Sequence, residues 1–132
     1  MIDIIVIIWY GFDMSNNSIL KEKSYSFALR IIKLYKYLKG EKQETVLSKQ
    51  IVRSGTSIGA NIEEAVGAQS ENDFLSKISI AYKECRETEY WLRLLKDSDF
   101  IEQKHFDSIH SDCVELLKML GSTKKTLSNK LK

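Results

Sequence analysis

The chain has no proline in 132 residues, which excludes polyproline linkers and proline-kinked helices. It also lacks any long apolar run. The longest, Ile4 to Tyr10, falls well short of the roughly 20 residues that a membrane span requires. That N-terminal stretch has neither the basic start nor the small-residue cleavage site of a signal peptide, so no membrane partner is expected. Cys85 and Cys113 are too few and too far apart in the sequence for a disulfide framework or a four-ligand metal site. They read as reduced thiols of a cytoplasmic protein. The net charge is only +2, so no partner follows from overall charge.

Catalytic patterns are missing too. The chain holds no Gly-rich phosphate loop, no zinc-protease helix and no nucleophile elbow. His105 and His110 are five apart and do not share a helix face, and His110 with Cys113 has no further ligand nearby to complete a zinc site. Helical RNA-cleaving domains place an Arg shortly before a His, whereas eleven residues separate Arg93 from His105. Glu63, Glu64, Glu84 and Glu87 lack the Glu-x-x-His spacing of ferritin-like metal centres and read as solvated or interface carboxylates. The expectation is a non-enzyme with no catalytic residue, metal, cofactor or small-molecule substrate.

What is present is helical periodicity. Few glycines among many Leu, Ile, Lys and Glu residues point to helices with short connections. A first helix is expected from about Ser18 to Lys39, with Phe27, Ile31, Leu34 and Leu38 on one face and Gly40 as its C-cap. The second runs from about Glu44 to Val66 or Gly67. The third starts near Ser70, with Asp73 at its third position. A fourth spans Glu102 to Leu120 and carries Phe106, Ile109, Cys113, Leu116, Leu117 and Leu120. Such links favour antiparallel neighbours, so the predicted fold is all-α, an up-down-up-down four-helix bundle. The domain plan is an N-terminal arm at 1–17, the bundle at 18–121, and a basic tail at 122–132 that is either frayed or a weak helical extension. Because the polar stretch from Met14 would serve as a natural start, residues 1–13 read either as an artefact of start-site choice or as an apolar arm packed on a neighbouring chain.

The second helix contains Gly55 and Gly59, each costing a helix roughly 1 kcal/mol relative to Ala. At about 100° per residue both fall within the arc of Leu47, Ile51, Ile58, Ile62, Ala65 and Val66. They are therefore core positions at which a facing helix approaches closely, with Phe27, Phe74 or Tyr82 expected to fill the groove. Gly67 reads as a helix-ending residue. In the third helix Phe74, Ile78, Ala81, Cys85, Leu92 and Leu95 form a bundle-facing stripe, while Ile80, Trp91 and Leu94 lie opposite with Glu84 and Glu87. Two apolar stripes call for two partners, and the second is assigned to a subunit interface.

Charge is uneven along the chain. Residues 18–60 hold nine basic against three acidic side chains, and residues 61–102 hold five against ten. Arg30, Lys33, Lys36, Lys42, Lys49 and Arg53 are the candidate nucleic-acid contacts of this basic half. Lysine dominates the basic residues and lacks the planar fork of Arg, so any binding should be weakly specific and salt-sensitive.

The segments RSGTSIGANIEEA at 53–65 and DFLSKISIAYKECRETEYWLRLL at 73–95 resemble the four-helix-bundle family of 23S rRNA intervening-sequence proteins. The resemblance covers about Ser24 to Leu120 and implies a small bundle that assembles as a homopentamer. Residues 1–13 have no counterpart in its pattern. A related branch, the accessory variability protein of diversity-generating retroelements, implies a reverse transcriptase and nucleic acid as partners. The functional expectation is a cytoplasmic, oligomeric, non-enzymatic bundle that binds RNA or a ribonucleoprotein partner through its basic half. The alternative is a protein-interaction scaffold, for example a reverse-transcriptase accessory protein.

Overall fold

The computed structural model describes residues 14–132, with side chains from residue 19 onward, so the expectations for residues 1–13 lie outside the described residues. Four helices make up the fold: α1 Met14–Gly40, α2 Leu47–Val66, α3 Glu71–Asp97 and α4 Gln103–Lys130. The described residues contain no strand.

Local chemistry accounts for the helix ends. Glu44 lies before α2 rather than inside it, and its carboxylate accepts from the backbone N–H groups of Val46 and Leu47, both at 3.0 Å, and of Ser48 at 2.7 Å. A negative group thus satisfies three otherwise orphaned donors at the positive end of the helix. At α3, Ser70 Oγ accepts from the Asp73 N–H at 3.0 Å, and Asp73 Oδ2 accepts in return from the Gln69 N–H at 3.2 Å. α2 gives way at Gly67, as expected. α1 does end on Gly40, but the left-handed backbone of the following link belongs to Gln43, at φ 54°.

Besides the start of α2, two boundaries differ from the sequence pattern. α1 begins at Met14, and α4 runs ten residues past Leu120 to Lys130. Of the two forms expected for the tail, the helical one is present. Leu127 explains it: seven residues after Leu120, it returns to the same helix face and is fully buried. Gly121 does not stop the helix. It stands where a Cβ would come 3.3 Å from the Tyr82 ring, a third position of close approach that the pattern did not reveal.

Each helix packs on its sequence neighbour, α2 with α3 most extensively, and α1 meets α4 least. Contacts pair rising numbers on one helix with falling numbers on the next. Ser24 lies by Gly59 and Ile31 by Gly55. Lys77 meets Glu64 while Arg53 meets Glu84. Tyr82 lies by Gly121 while Glu89 meets His110. These neighbouring helices therefore run antiparallel. The core holds the expected faces, including Phe27, Ile31, Ile51, Ile58, Ile62, Phe74, Ile78, Leu92, Leu95 and Leu116, each almost wholly excluded from water. Burial of such a side chain stabilises by roughly 1.5–3 kcal/mol before the entropy cost of ordering it. Val66 departs from the pattern: as the last residue of α2 it is exposed.

The glycine positions are close approaches, but not to aromatic rings. Ile31, not Phe27, Phe74 or Tyr82, faces Gly55, with Cγ2 2.8 Å from where a Cβ would stand; Ser24 faces Gly59, its Oγ at 3.3 Å. The reason is register: the α1 residues that meet α2 at these heights are a β-branched side chain and a small one, so the helices close without a large ridge.

Candidate functional site

The six basic candidates divide into two groups. Arg30 and Arg53 are tied to their own chain. Arg30 Nη1 donates to Asp112 Oδ2 at 2.6 Å and to the Ser108 carbonyl at 3.3 Å, while Nη2 donates to Ser108 Oγ at 2.9 Å, so this guanidinium straps α1 to α4. Arg53 Nη1 donates to Glu84 Oε2 at 3.0 Å, and Nη2 donates to Glu87, strapping α2 to α3. The Glu87 hydrogen bond, together with both carboxylate charges, raises the Arg53 pKa above its ordinary value.

Lys33, Lys36, Lys42 and Lys49 are exposed, and no carboxylate among the described residues lies within ion-pair distance of them. They occupy one end of the bundle, where α1 leads through the 41–46 link into α2. Two tyrosines stand among them: the Lys39 ammonium sits 5.8 Å from the Tyr35 ring centre, and that of Lys42 sits 6.0 Å from Tyr37. Lys21 and Lys23, by contrast, meet Glu63 at 3.6 Å and Glu115 at 2.8 Å. Along α1 itself the cations near its start are paired and those toward its end are not, a distinction that counting charges along the chain does not make.

The second stripe of α3 is engaged within the chain more than its pattern suggests. Of Ile80, Trp91 and Leu94, only Ile80 is exposed; Trp91 packs against the core, and its Nε1 donates to Glu87 Oε2 at 2.9 Å. Glu84 and Glu87 are the acceptors of the Arg53 strap. Sequence separation hid that pairing, because Arg53 lies 31 and 34 residues from its two partners.

The residues weighed for chemistry are placed as follows. His110 Nε2 lies 2.9 Å from Glu89 Oε2, and its ring stacks on Phe106 with centres 4.6 Å apart. Burial pushes the Glu89 carboxyl up, but hydrogen bonds from His110 and Arg93, with their charges, outweigh it and hold its pKa below the ordinary value. Glu63 and Glu64 meet Lys21 and Lys77. Among the described residues no cluster of three or more His, Cys, Asp or Glu side chains is arranged to hold a metal ion. Cys85 and Cys113, distant in sequence, are brought together: their sulfurs are 3.9 Å apart at the α3–α4 contact, and both are buried free thiols. The hydrogen bond with Cys85 and burial push the Cys113 thiol far up, so it stays protonated.

The α1–α4 seam is open on both sides of the Arg30 strap. On one side lies a cleft lined by Glu22, Lys23, Asp112 and Glu115 above Phe27 and Leu116. On the other lies a cleft of about 450 Å³ lined by Lys33, Leu34, Tyr37, Ile101, His105 and Ile109, with Arg30 at its edge. No described helix is long and apolar enough to cross a membrane.

No curated protein matches the chain. A solved structure does: the 1.70 Å crystal structure of a protein of unknown function from the S23 ribosomal protein family of Bacteroides thetaiotaomicron is 52% identical. The match covers 83% of this chain and 98% of that one, with a TM-score of 0.82. The family model described as 23S rRNA-intervening sequence protein matches residues 16–122, from the first turn of α1 into the last third of α4. With the fold, the glycine-bearing second helix and this match in agreement, the chain belongs to the 23S rRNA-intervening sequence protein family.

Proposed function

We propose that this chain is a non-enzymatic, oligomeric bundle that binds RNA, alone or within a ribonucleoprotein, through the lysines at the α1–α2 end. The observation that carries this reading is the set Lys33, Lys36, Lys42 and Lys49, exposed where α1 leads into α2 and without a carboxylate in ion-pair distance among the described residues, while Lys21, Lys23, Arg30 and Arg53 of the same two helices are paired. Phosphates are the natural counter-charge for such a surface, and lysines neutralise them without reading sequence. Arg30 and Arg53 act as straps, and their part in RNA binding is secondary. Assembly would repeat the lysine surface, so that a long RNA engages several copies at a high effective concentration. Ile80, exposed near one end of the α3 stripe that also carries Glu84, Glu87, Trp91 and Leu94, is the exposed apolar residue of the proposed subunit contact. The pentamer implied by the resemblance belongs to this proposal, as does a cytoplasmic location.

The test is titration of a long unstructured RNA at two salt concentrations. Reversing Lys36 and Lys49 to Glu should remove most binding and flatten the salt dependence, while light scattering shows unchanged assembly. Ile80→Glu should give smaller, still helical species with weaker RNA binding although no basic residue is altered. It is a cleaner probe than Trp91→Glu, because Trp91 also packs on its own core. Parent-like affinity and salt slope in the charge-reversed protein would overturn the RNA reading in favour of a scaffold for a protein partner such as a reverse transcriptase.

A further inference from the structure

We infer that the cleft between the second half of α1 and the start of α4 holds one unpaired nucleotide of a single-stranded RNA, with the base against Tyr37 and a phosphate between Lys33 and His105. This rests on the RNA reading above and adds the form of RNA preferred. The floor of the cleft is apolar, made by Leu34, Ile101 and Ile109, and its rim is cationic or neutral, made by Lys33, His105 and Arg30. No carboxylate lines it. Its volume of about 450 Å³ lies within the usual range for small-ligand sites.

Its neighbours are unsuited to the same occupant. The cleft across the Arg30 strap presents three carboxylates, Glu22, Asp112 and Glu115, which repel a phosphate. The hollow at the end of the bundle sets Lys42 and Lys96 against Asp97, Asp99 and Glu102. The Lys33–His105 cleft joins an apolar floor, a half-exposed aromatic ring and the unpaired Lys33, and it shares Tyr37 and Ile101 with the hollow at the end of the bundle. Tyr37 is 42% exposed, with the Lys42 ammonium 6.0 Å from its ring centre, so the ring is accessible to a stacking partner beside a cation. Aromatic faces interleaved with lysines are the common means of holding single strands, because every base has a face to stack while only an unpaired base can leave its helix. A base seated there would place its backbone along the α1 lysines, continuous with the surface that Lys36 and Lys49 offer. An acidic, aromatic-bearing peptide has related chemistry, but the run of lysines beyond the cleft suits a polyanion.

The test is fluorescence anisotropy with a labelled short oligouridine and with an RNA duplex of equal length, at one fixed salt concentration and then across a salt series. The parent should bind the single strand more tightly. Tyr37→Ala should weaken single-strand binding about tenfold, leave duplex binding unchanged and keep the salt slope, because no charge is removed. Tyr37→Phe should restore parent affinity, and circular dichroism should show both variants folded. Equal affinity for single strand and duplex, unaffected by Tyr37→Ala, would overturn the cleft assignment and leave the lysine surface standing. Binding to neither RNA would overturn both. Displacement of the oligouridine by an acidic aromatic peptide at lower concentration than by unlabelled RNA would overturn the nucleotide assignment in favour of a protein ligand.

Discussion

The two flanks of α1 are built by different means. Toward α2 the helix closes on glycine, with Ile31 set against Gly55 and Ser24 against Gly59, so the backbones approach, and the exposed Lys21–Glu63 pair at 3.6 Å lies at the edge of this contact. Toward α4 it rests on large side chains, among them Phe27 and Leu34 from α1 and Ile109 and Leu116 from α4. Arg30 and Lys23 span the gap to Asp112 and Glu115. The α2 flank gains close dispersion contacts and keeps a hollow of about 360 Å³ beside Gly59; the α4 flank keeps clefts on both sides of the Arg30 strap. Because side-chain size at the seam sets interaxial distance, the residues that hold two helices apart are the ones that create a site.

Removing the largest spacer tests the open flank. Phe27 is almost fully buried beside the acidic cleft, and Phe27→Ala should cost about 3–5 kcal/mol in urea unfolding followed by helical circular dichroism. A loss below about 1 kcal/mol would mean that the α1–α4 seam collapses to fill the gap and is not held open by its side chains.

Filling the closed flank should cost less and depend sharply on position. A Cβ at Gly55 would meet Ile31 at 2.8 and 2.9 Å, so Gly55→Leu should destabilise by about 1–3 kcal/mol through overpacking. At Gly59 the nearest atom is the Ser24 hydroxyl at 3.3 Å, and the helix-propensity gain of roughly 1 kcal/mol offsets that contact. Gly59→Ala should therefore leave the unfolding midpoint nearly unchanged. Equal costs at Gly55 and Gly59 would show that helix propensity, not the approach of Ile31, governs this flank.

The smallest effect is expected at the strap. Arg30 and Asp112 are both well exposed, so Arg30→Gln should change stability by less than about 1 kcal/mol. Its influence should fade as salt is raised. A larger, salt-independent loss would make the arginine, not the apolar side chains beneath it, the element that joins α1 to α4.

The legible and illegible parts of this protein separate along physical lines. Periodicity identified the apolar residues of the α3 core stripe, since a helix buries one face whatever its partners are, but passed over the buried Thr88, which donates to Ser54 Oγ. The same reading placed Gly55 and Gly59 in the seam but assigned aromatic partners to them, because the height at which two helices meet is not written in either one alone. It ended α4 at about Leu120, left the tail as frayed or weakly helical, and so missed both the burial of Leu127 and the approach of Tyr82 to Gly121. Arg30 and Arg53 looked equivalent to the lysines beside them. Only folding brought Asp112, Ser108, Glu84 and Glu87 within their reach.

Composition, helix period and capping residues determined by themselves an all-α chain of four amphipathic helices, because these signals act within a few residues of one another. The excess of basic side chains over residues 18–60 is likewise a property of the sequence. Which of those cations remain free, where the seams close and where they stay open, and that Cys85 meets Cys113 were decided only by the tertiary structure. Each depends on which side chains from separate helices arrive at the same height, a matter of helix register and interaxial distance that no single helix encodes.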